Sequence, residues 1–308
     1  HSTSRRQRQM CIRDRVKDSS GRNREVLKRF TEAGADPEIL YQQKPHLGTD
    51  VLVNIVQTMR RQIEEMGGTF RFRSKVTDLY TENGILRAVE VNHSEQVPAQ
   101  VCVLAVGHSA RDTFFMLKDR GLAMEPKAFA VGLRIEHPQS MINQDLYGEP
   151  ENNILGSASY KVTHTCKNGR GVYSFCMCPG GYVVNASSEQ GLLAVNGMSY
   201  QARDGENANS AMIVTVTPED FPEKGTLGGI AFQRSLEKKA WELGKGKVPV
   251  QLFGDFCAHQ PSSQLGEIHP NIKGGYVLTD VRSILPKELG DSIEAVSYTH
   301  LRAHETEA

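Results

Sequence analysis

The sequence predicts an α/β fold in which a mixed strand-and-helix part is followed by a β-rich α+β part. Three observations carry this expectation. Val101-Cys-Val-Leu-Ala105 is continuously apolar, Gly107 breaks it, and a helical pattern follows from about Ala110 to Arg120. That order is a strand–turn–helix unit with the apolar character of a buried parallel strand. Leu52, Ile55, Val56, Met59, Ile63 and Met66 recur at helical spacing before the stop Gly67-Gly68. From about Gly121 onward short apolar segments alternate with Gly-containing turns.

Taken in order, residues 16–24 read as a loop, with Asn23 placed to cap a helix from Arg24 to Ala33 that Gly34 ends. Ala35–Tyr41 reads as a short helix with Pro37 in its first turn. Gln43–Asp50 is a loop, and Thr49 or Asp50 caps the helix that runs to Met66. Strands are expected at 69–72, 75–80, 85–91 and 100–105, with Asn83-Gly84 as a hairpin turn and Ser109 as the cap of the 110–120 helix. The later strands are expected at 128–136, 157–163, 172–176, 182–186, 194–198 and 211–216. A helix is expected at Phe232–Glu242, a polar loop at 259–266, and a new helical region from Asp280.

The two ends have a different character. Arg5–Arg15 (RRQRQMCIRDR) and Val296–Thr306 (VSYTHLRAHET) read as translated sequencing-adapter DNA. Residues 1–15 and 296–308 are therefore expected to be non-native, and the informative chain to be a fragment from Val16 to Ala295. A basic arm for nucleic acid is the other reading of the first segment; the matching character of both ends argues against it. Without the two ends, six arginines and three acids leave the count, and the balanced charge of the whole chain becomes −3. A mildly acidic chain argues against a nucleic-acid surface. No apolar run reaches the eighteen residues of a membrane span. Cys102, Cys166, Cys176, Cys178 and Cys257 form an odd, irregular set that does not read as a secreted disulfide framework, so a cytoplasmic location is expected.

Five constellations carry the candidate chemistry. In Val103–Arg111 the Gly turn before a helix suits an anionic or nucleotide ligand, and equally suits plain sheet-to-helix packing. In Lys44-Pro-His-Leu-Gly-Thr-Asp50, His46 stands just before a helix, where it either donates to a ligand or is a plain loop histidine beside a helix cap. In Gly132-Leu-Arg-Ile-Glu-His-Pro138, strand alternation puts Arg134 and Glu136 on one face, and His137 follows. Phe175-Cys-Met-Cys-Pro-Gly-Gly-Tyr182 joins two thiols to a turn that exposes backbone amides. A single C-x-C without a second pair is a poor metal signal, so no metal is expected; buried thiols and a redox-active or ligand-facing pair both remain open. Met198–Ser210 gathers Ser, Arg, Asp and Asn in one Gly-containing loop, either ligand-binding or solvated.

Together with Gly21-Arg-Asn-Arg-Glu-Val26, Val183-Val-Asn-Ala-Ser-Ser-Glu189 and Asn196-Gly-Met-Ser199, these segments resemble bacterial FAD-dependent, NAD(FAD)-utilizing dehydrogenase-like proteins with an FAD-dependent-protein C-terminal domain. The resemblance covers Val16–Ala295 in order. It implies a partial Rossmann-type FAD-binding domain over 16–120, an inserted β-rich α+β substrate domain over 121–285, and a return to the first domain beginning at 286–295. The family's G-x-G-x-x-G motif is absent from this sequence. By the resemblance, Val76 lies toward the adenine end of FAD and Ala105, Val106 and Gly107 line it. Cys176, Cys178, Pro179, Gly180 and Gly181 would face the flavin or substrate. His46, His108 and His137 are the candidate catalytic groups, in that order. The implied activity is oxidation or reduction of an unknown small molecule, with NAD(P)H as a possible reductant; a non-catalytic flavin- or ligand-binding regulatory protein is the alternative. A flavin-dependent RNA-modifying enzyme is disfavoured by the −3 charge. No nucleic-acid or membrane partner is expected.

Overall fold

The computed structural model describes residues 21–42 and 46–300, with side chains placed through Val296. Expectations for 1–20, 43–45 and 301–308 fall outside the described residues. In chain order the elements are helix α1 (Gly21–Glu32), a 3-10 turn (Pro37–Leu40), α2 (Thr49–Glu65), strands β1 (Val76–Glu82), β2 (Ile85–Val91) and β3 (Glu95–Pro98), and α3 (Arg111–Asp119). Then come β4 (Phe129–Pro138), α4 (Gln139–Tyr147), β5 (Thr163–Thr165), β6 (Gly171–Cys178), β7 (Gly181–Asn185), β8 (Val195–Ser199) and β9 (Asn207–Val216). The chain continues through α5 (Gly228–Gly244), β10 (Val248–Val250), α6 (Phe253–Cys257), β11 (Ile272–Lys273), β12 (Tyr276–Leu278) and α7 (Lys287–His300). This is a mixed α/β protein of two compact units. The first takes the described residues up to Met59, Ala128–Thr217 and those from Gln233 on; the second takes Arg60–Lys127 and Pro218–Phe232.

In the first unit, α1 ends where Gly34 N–H reaches Thr31 O and Ala35 N–H reaches Phe30 O, closing the helix with its own last carbonyls. Asp36 then caps the 3-10 turn through Glu38 N–H at 2.9 Å. Leu27, Ala33, Ala35, Ile39 and Ile55 form a small core that holds these pieces together. The centre of the unit is an antiparallel sheet in the order β4-β9-β6-β5. Arg134 pairs with Ala211, Glu136 with Asn209 and His137 with Ala208. Alternation therefore divides the sheet into two unlike faces. One carries Arg134, Glu136, Asn209 and Cys178. The other carries His137, Ala208, Met212, Val214 and Val216, all but the histidine apolar. Leu289, Ile293 and Val296 of α7 are buried, and the helix packs on β9; each such side chain contributes roughly 1.5–3 kcal/mol. A second sheet, β11-β7-β8, lies against the polar face, and β10-β12 form a parallel pair.

In the second unit β1-β2-β3 make a meander. Asn83 and Gly84 have φ of 50° and 76°, the left-handed pair that a tight hairpin requires. Helix α3 packs on β1, tied by ion pairs of Lys75 with Asp112 and Arg120 with Asp78.

Several expectations are corrected. Helix α1 begins at Gly21, so Asn23 lies inside it. Ala110, not Ser109, precedes α3, and no side chain caps that helix. Helices α4 and α6 and strands β3, β10, β11 and β12 were not expected, and of 157–163 only Thr163 enters a strand. The largest difference is at 100–105, which forms no strand; Val101 and Val103 are 82% and 84% exposed. Segment 69–72 forms none either; Phe70 stacks on Phe72 and Arg60 lies over the Phe72 ring. An apolar segment becomes a buried parallel strand only when ladder partners flank it, and no described strand pairs with either one. Amide exchange checks this directly: Val101–Val106 should exchange at least about a hundredfold faster than Val131–Ile135 at the sheet centre.

Candidate functional site

The polar loop Tyr200–Gly205 is where separate parts of the sequence converge. From one side comes the segment after residue 45. His46 Nε2 lies 3.0 Å from Tyr200 O, the Asp50 carboxylate accepts from Gln201 N–H at 3.0 Å, and Thr49 Oγ1 donates to Ser199 O. Gly48 has φ +72°, and a Cβ there would sit 2.5 Å from Gln201 N. Asp50, expected as a helix cap, therefore holds a loop some 150 residues further along the chain.

From the other side comes the Pro179-Gly180-Gly181 turn. Gly180 has φ +47°, and a Cβ there would fall 1.8 Å from Arg203 O. Gly205 N–H donates to Gly180 O at 3.0 Å, Ser199 Oγ to Pro179 O at 2.8 Å and Ser157 Oγ to Arg203 O at 2.8 Å. Three of the five sequence constellations thus meet at one loop. Beside it lies a cleft of about 460 Å³ lined by Asp36, Glu38, Ile39, Gln42, His46, Gln201 and Arg203. Its wall offers two carboxylates, a guanidinium, an imidazole and two amides, a set suited to a small polar molecule with more than one functional group.

Behind the turn, the polar face of β4 and β9 is covered by β7 and β8. Arg134 Nε donates to Asn209 Oδ1 at 2.6 Å, and its Nη2 to Cys176 O at 2.6 Å and to Cys178 Sγ at 3.3 Å. Gly197 of β8 lies on this guanidinium; a Cβ there would meet Arg134 Nη2 at 2.0 Å. Glu136 accepts from Asn271 N–H at 3.0 Å, and burial raises its pKa against that hydrogen bond. Near the cleft, Lys273 Nζ lies 4.1 Å and 4.9 Å from the Tyr182 and Tyr200 ring centroids. Its pKa is raised, chiefly by hydrogen bonding to Tyr200.

The three candidate histidines are not brought together. His46 lines the cleft. His137 is 7% exposed on the apolar face of β4, its ring 5.3 Å from that of Tyr160, and its Nε2 has no hydrogen-bond partner among the described residues. Burial lowers its pKa to about 4, so it is neutral at physiological pH. His108 belongs to the second unit, exposed, 3.2 Å from Ser109 Oγ.

The second unit also holds Val76, half-buried opposite Val91, and the exposed run Ala105-Val106-Gly107. Gly107 has φ +73°, and a Cβ there would meet nothing within 4 Å. This open backbone gives a phosphate or a flat ring room to approach. The first turn of α3 already holds the Asp112 carboxylate, paired with Lys75, so that helix end is a weaker anion site than the Gly turn suggests.

Sequence reasoning missed Asp36, Glu38 and Gln42 as cleft walls, and the Lys273 clamp. The helix-capping signal at Asp36 was readable; the pairing of distant loops was not. His259, Asp291 and Glu294 bring donor atoms within 4.8 Å of one another. Arg282 pairs with both carboxylates and Lys287 with Asp291, which leaves little negative charge for a cation. Among the described residues no helix is long and apolar enough to cross a membrane.

The fold and cleft define a mixed α/β protein with a polar cleft lined by the 36–46 segment and the Tyr200–Gly205 loop. Residues 128–303 match the family described as FAD-dependent protein, C-terminal domain-like, and the chain belongs to that family. An uncharacterized protein of Clostridium beijerinckii is 46% identical over 273 residues, 87% of this chain and 51% of that protein. The chain thus spans about half the length of the curated relative it matches. Nothing in these matches supports the adapter reading of the ends; the family match runs to residue 303, and α7 continues unbroken through Val296.

Proposed function

We propose that this chain is part of a cytoplasmic FAD-dependent oxidoreductase and supplies its substrate side. The observation that carries the reading is the cleft at the Tyr200–Gly205 loop, in a chain whose β-rich part belongs to an FAD-dependent family. Val76 and Ala105-Val106-Gly107 are the residues that would hold FAD, in a Rossmann-type domain over 16–120 whose remaining parts lie outside this sequence; 121–285 is the inserted domain. The bound flavin supplies acceptance of a hydride or an electron pair. The chain's own residues bind and orient the substrate. His46, fixed against Tyr200 O, is the first candidate to hold or pass a proton, and Gln42, Gln201, Asp36, Glu38 and Arg203 position polar groups of the substrate. The Pro179-Gly180-Gly181 turn holds the loop in register.

The test is to express a protein of the relative's full length. It should purify yellow with one FAD per chain, and the flavin should be reduced by NADH or NADPH. His46→Gln should slow its reaction with substrate by about a hundredfold. The present chain alone should hold FAD weakly. A colourless full-length protein would overturn the reading, and a flavin-bound protein inert to every reductant would favour the regulatory alternative.

A further inference from the structure

We propose that Cys178 is a peroxide-reactive thiol, positioned by Arg134 and resolved by Cys176. The site is built rather than incidental. The Cys178 sulfur accepts from the Arg134 guanidinium at 3.3 Å, and its S–H points back to Cys176 O at 3.3 Å. Arg134 is itself fixed by Asn209 and by Cys176 O, and Gly197 leaves room for it. Cys176 sits on a β-bulge, at the register shift between Phe175 and Cys178, with φ +45°. A side-chain-bearing residue rarely takes that conformation.

Asn209 supplies a second, independent observation. It lies opposite Cys178 in the β6–β9 ladder and is completely buried. Its Oδ1 is occupied by Arg134, and its Nδ2 has no hydrogen-bond partner among the described residues. A buried amide donor left open is destabilising, so the site gains from an acceptor placed there. An oxygen added to the Cys178 sulfur would lie on the face that this donor shares. The arrangement thus offers a guanidinium hydrogen bond to the sulfur and a second donor for an oxygen bonded to it.

The chemistry balances with a hydroperoxide as oxidant. The Cys178 thiol gives up its proton, and the sulfur attacks the peroxide oxygen. The S–O bond forms, the O–O bond breaks, and the departing oxygen takes the proton and leaves as water or an alcohol. Sulfur is oxidised by two electrons to the sulfenic acid, and the peroxide is reduced. The Cys176 thiol then attacks the sulfenic sulfur, the S–S bond forms, and the hydroxyl leaves with the Cys176 proton as water.

The sequence provides a convenient readout. Trypsin cuts after Arg170 and Arg203, and no Lys or Arg lies between, so one peptide carries both thiols. With an equivalent of hydrogen peroxide, the Gly171–Arg203 peptide should lose two hydrogens, at least about tenfold faster than the exposed Cys102 gains oxygen. Cys176→Gly suits the left-handed backbone; it should stop the reaction at a Cys178 sulfenic acid that dimedone traps. Arg134→Gln should slow Cys178 oxidation about tenfold or more, and Arg134→Lys should restore part of the rate. If Arg134→Gln does not fold, the competition within the unaltered chain still decides. Oxidation of Cys102 before Cys178, or no dimedone adduct on Cys178 in Cys176→Gly, would overturn the proposal.

Discussion

Gly180→Ala is expected to destabilise the protein by roughly 3–5 kcal/mol and lower its unfolding temperature by about ten degrees. Two penalties act together. At φ +47° a Cβ is strained wherever it points. Here it also points 1.8 Å from Arg203 O and 2.3 Å from Arg203 C, both backbone atoms that no rotamer change can move aside. The loop can only shift, which breaks the Gly205 N–H to Gly180 O hydrogen bond and pulls Gln201 and Arg203 away from the cleft. Ligand affinity should therefore fall with stability. Gly169→Ala is the control: it has φ +80° but open space around the added carbon, so it should cost only the strain, about 1 kcal/mol. Thermal unfolding of the two variants side by side checks the claim, and equal losses would refute the role assigned to the Arg203 contact.

The sequence made local order legible where the signal was local. Gly34, Gly67 and Asn83-Gly84 mark real ends and turns, because each acts through its own backbone angles and near neighbours. Strands β2, β7 and β8 fall within a residue of expectation, because alternation and flanking turns bound them. Val101–Ala105 misled because apolar content reports what a strand needs and not whether partners are present. Helix α4 was hidden because Gln139 and Asn143 are its buried residues alongside Ile142. Gln139 donates to Asn143 Oδ1 and Ala158 O and accepts from Gly180 N–H, so polar tertiary contacts hold a helix that carries little apolar periodicity. For the site, the segments at His46, Pro179 and Met198 were each singled out, but their meeting was not legible. It rests on pairings such as Asp50 with Gln201 that only the folded chain brings together.

The pH dependence of stability should reveal two opposed groups on adjacent positions of β4. His137 has its pKa depressed to about 4 from 6.5 by burial alone. The unfolded chain therefore takes up a proton that the folded chain refuses. The stability this represents is complete above pH 6.5 and is lost as pH falls toward 4, amounting to about 3 kcal/mol. Glu136 works the other way. Burial raises its pKa, so the folded chain keeps a proton that the unfolded chain releases, and stability is gained as pH falls through that raised value. The surroundings leave His137 little relief: it lies on the apolar face of β4, and the facing Tyr160 is itself held neutral by burial. Denaturant midpoints between pH 7 and pH 4 should therefore fall modestly in the unaltered chain. Glu136→Gln should steepen the fall, because the compensating group is gone. His137→Phe keeps an aromatic ring against Tyr160 without a titrating nitrogen; it should flatten or reverse the slope and raise stability at pH 5 relative to the unaltered chain. An unchanged slope in His137→Phe would mean that the buried imidazole is not the group the acid limb reports.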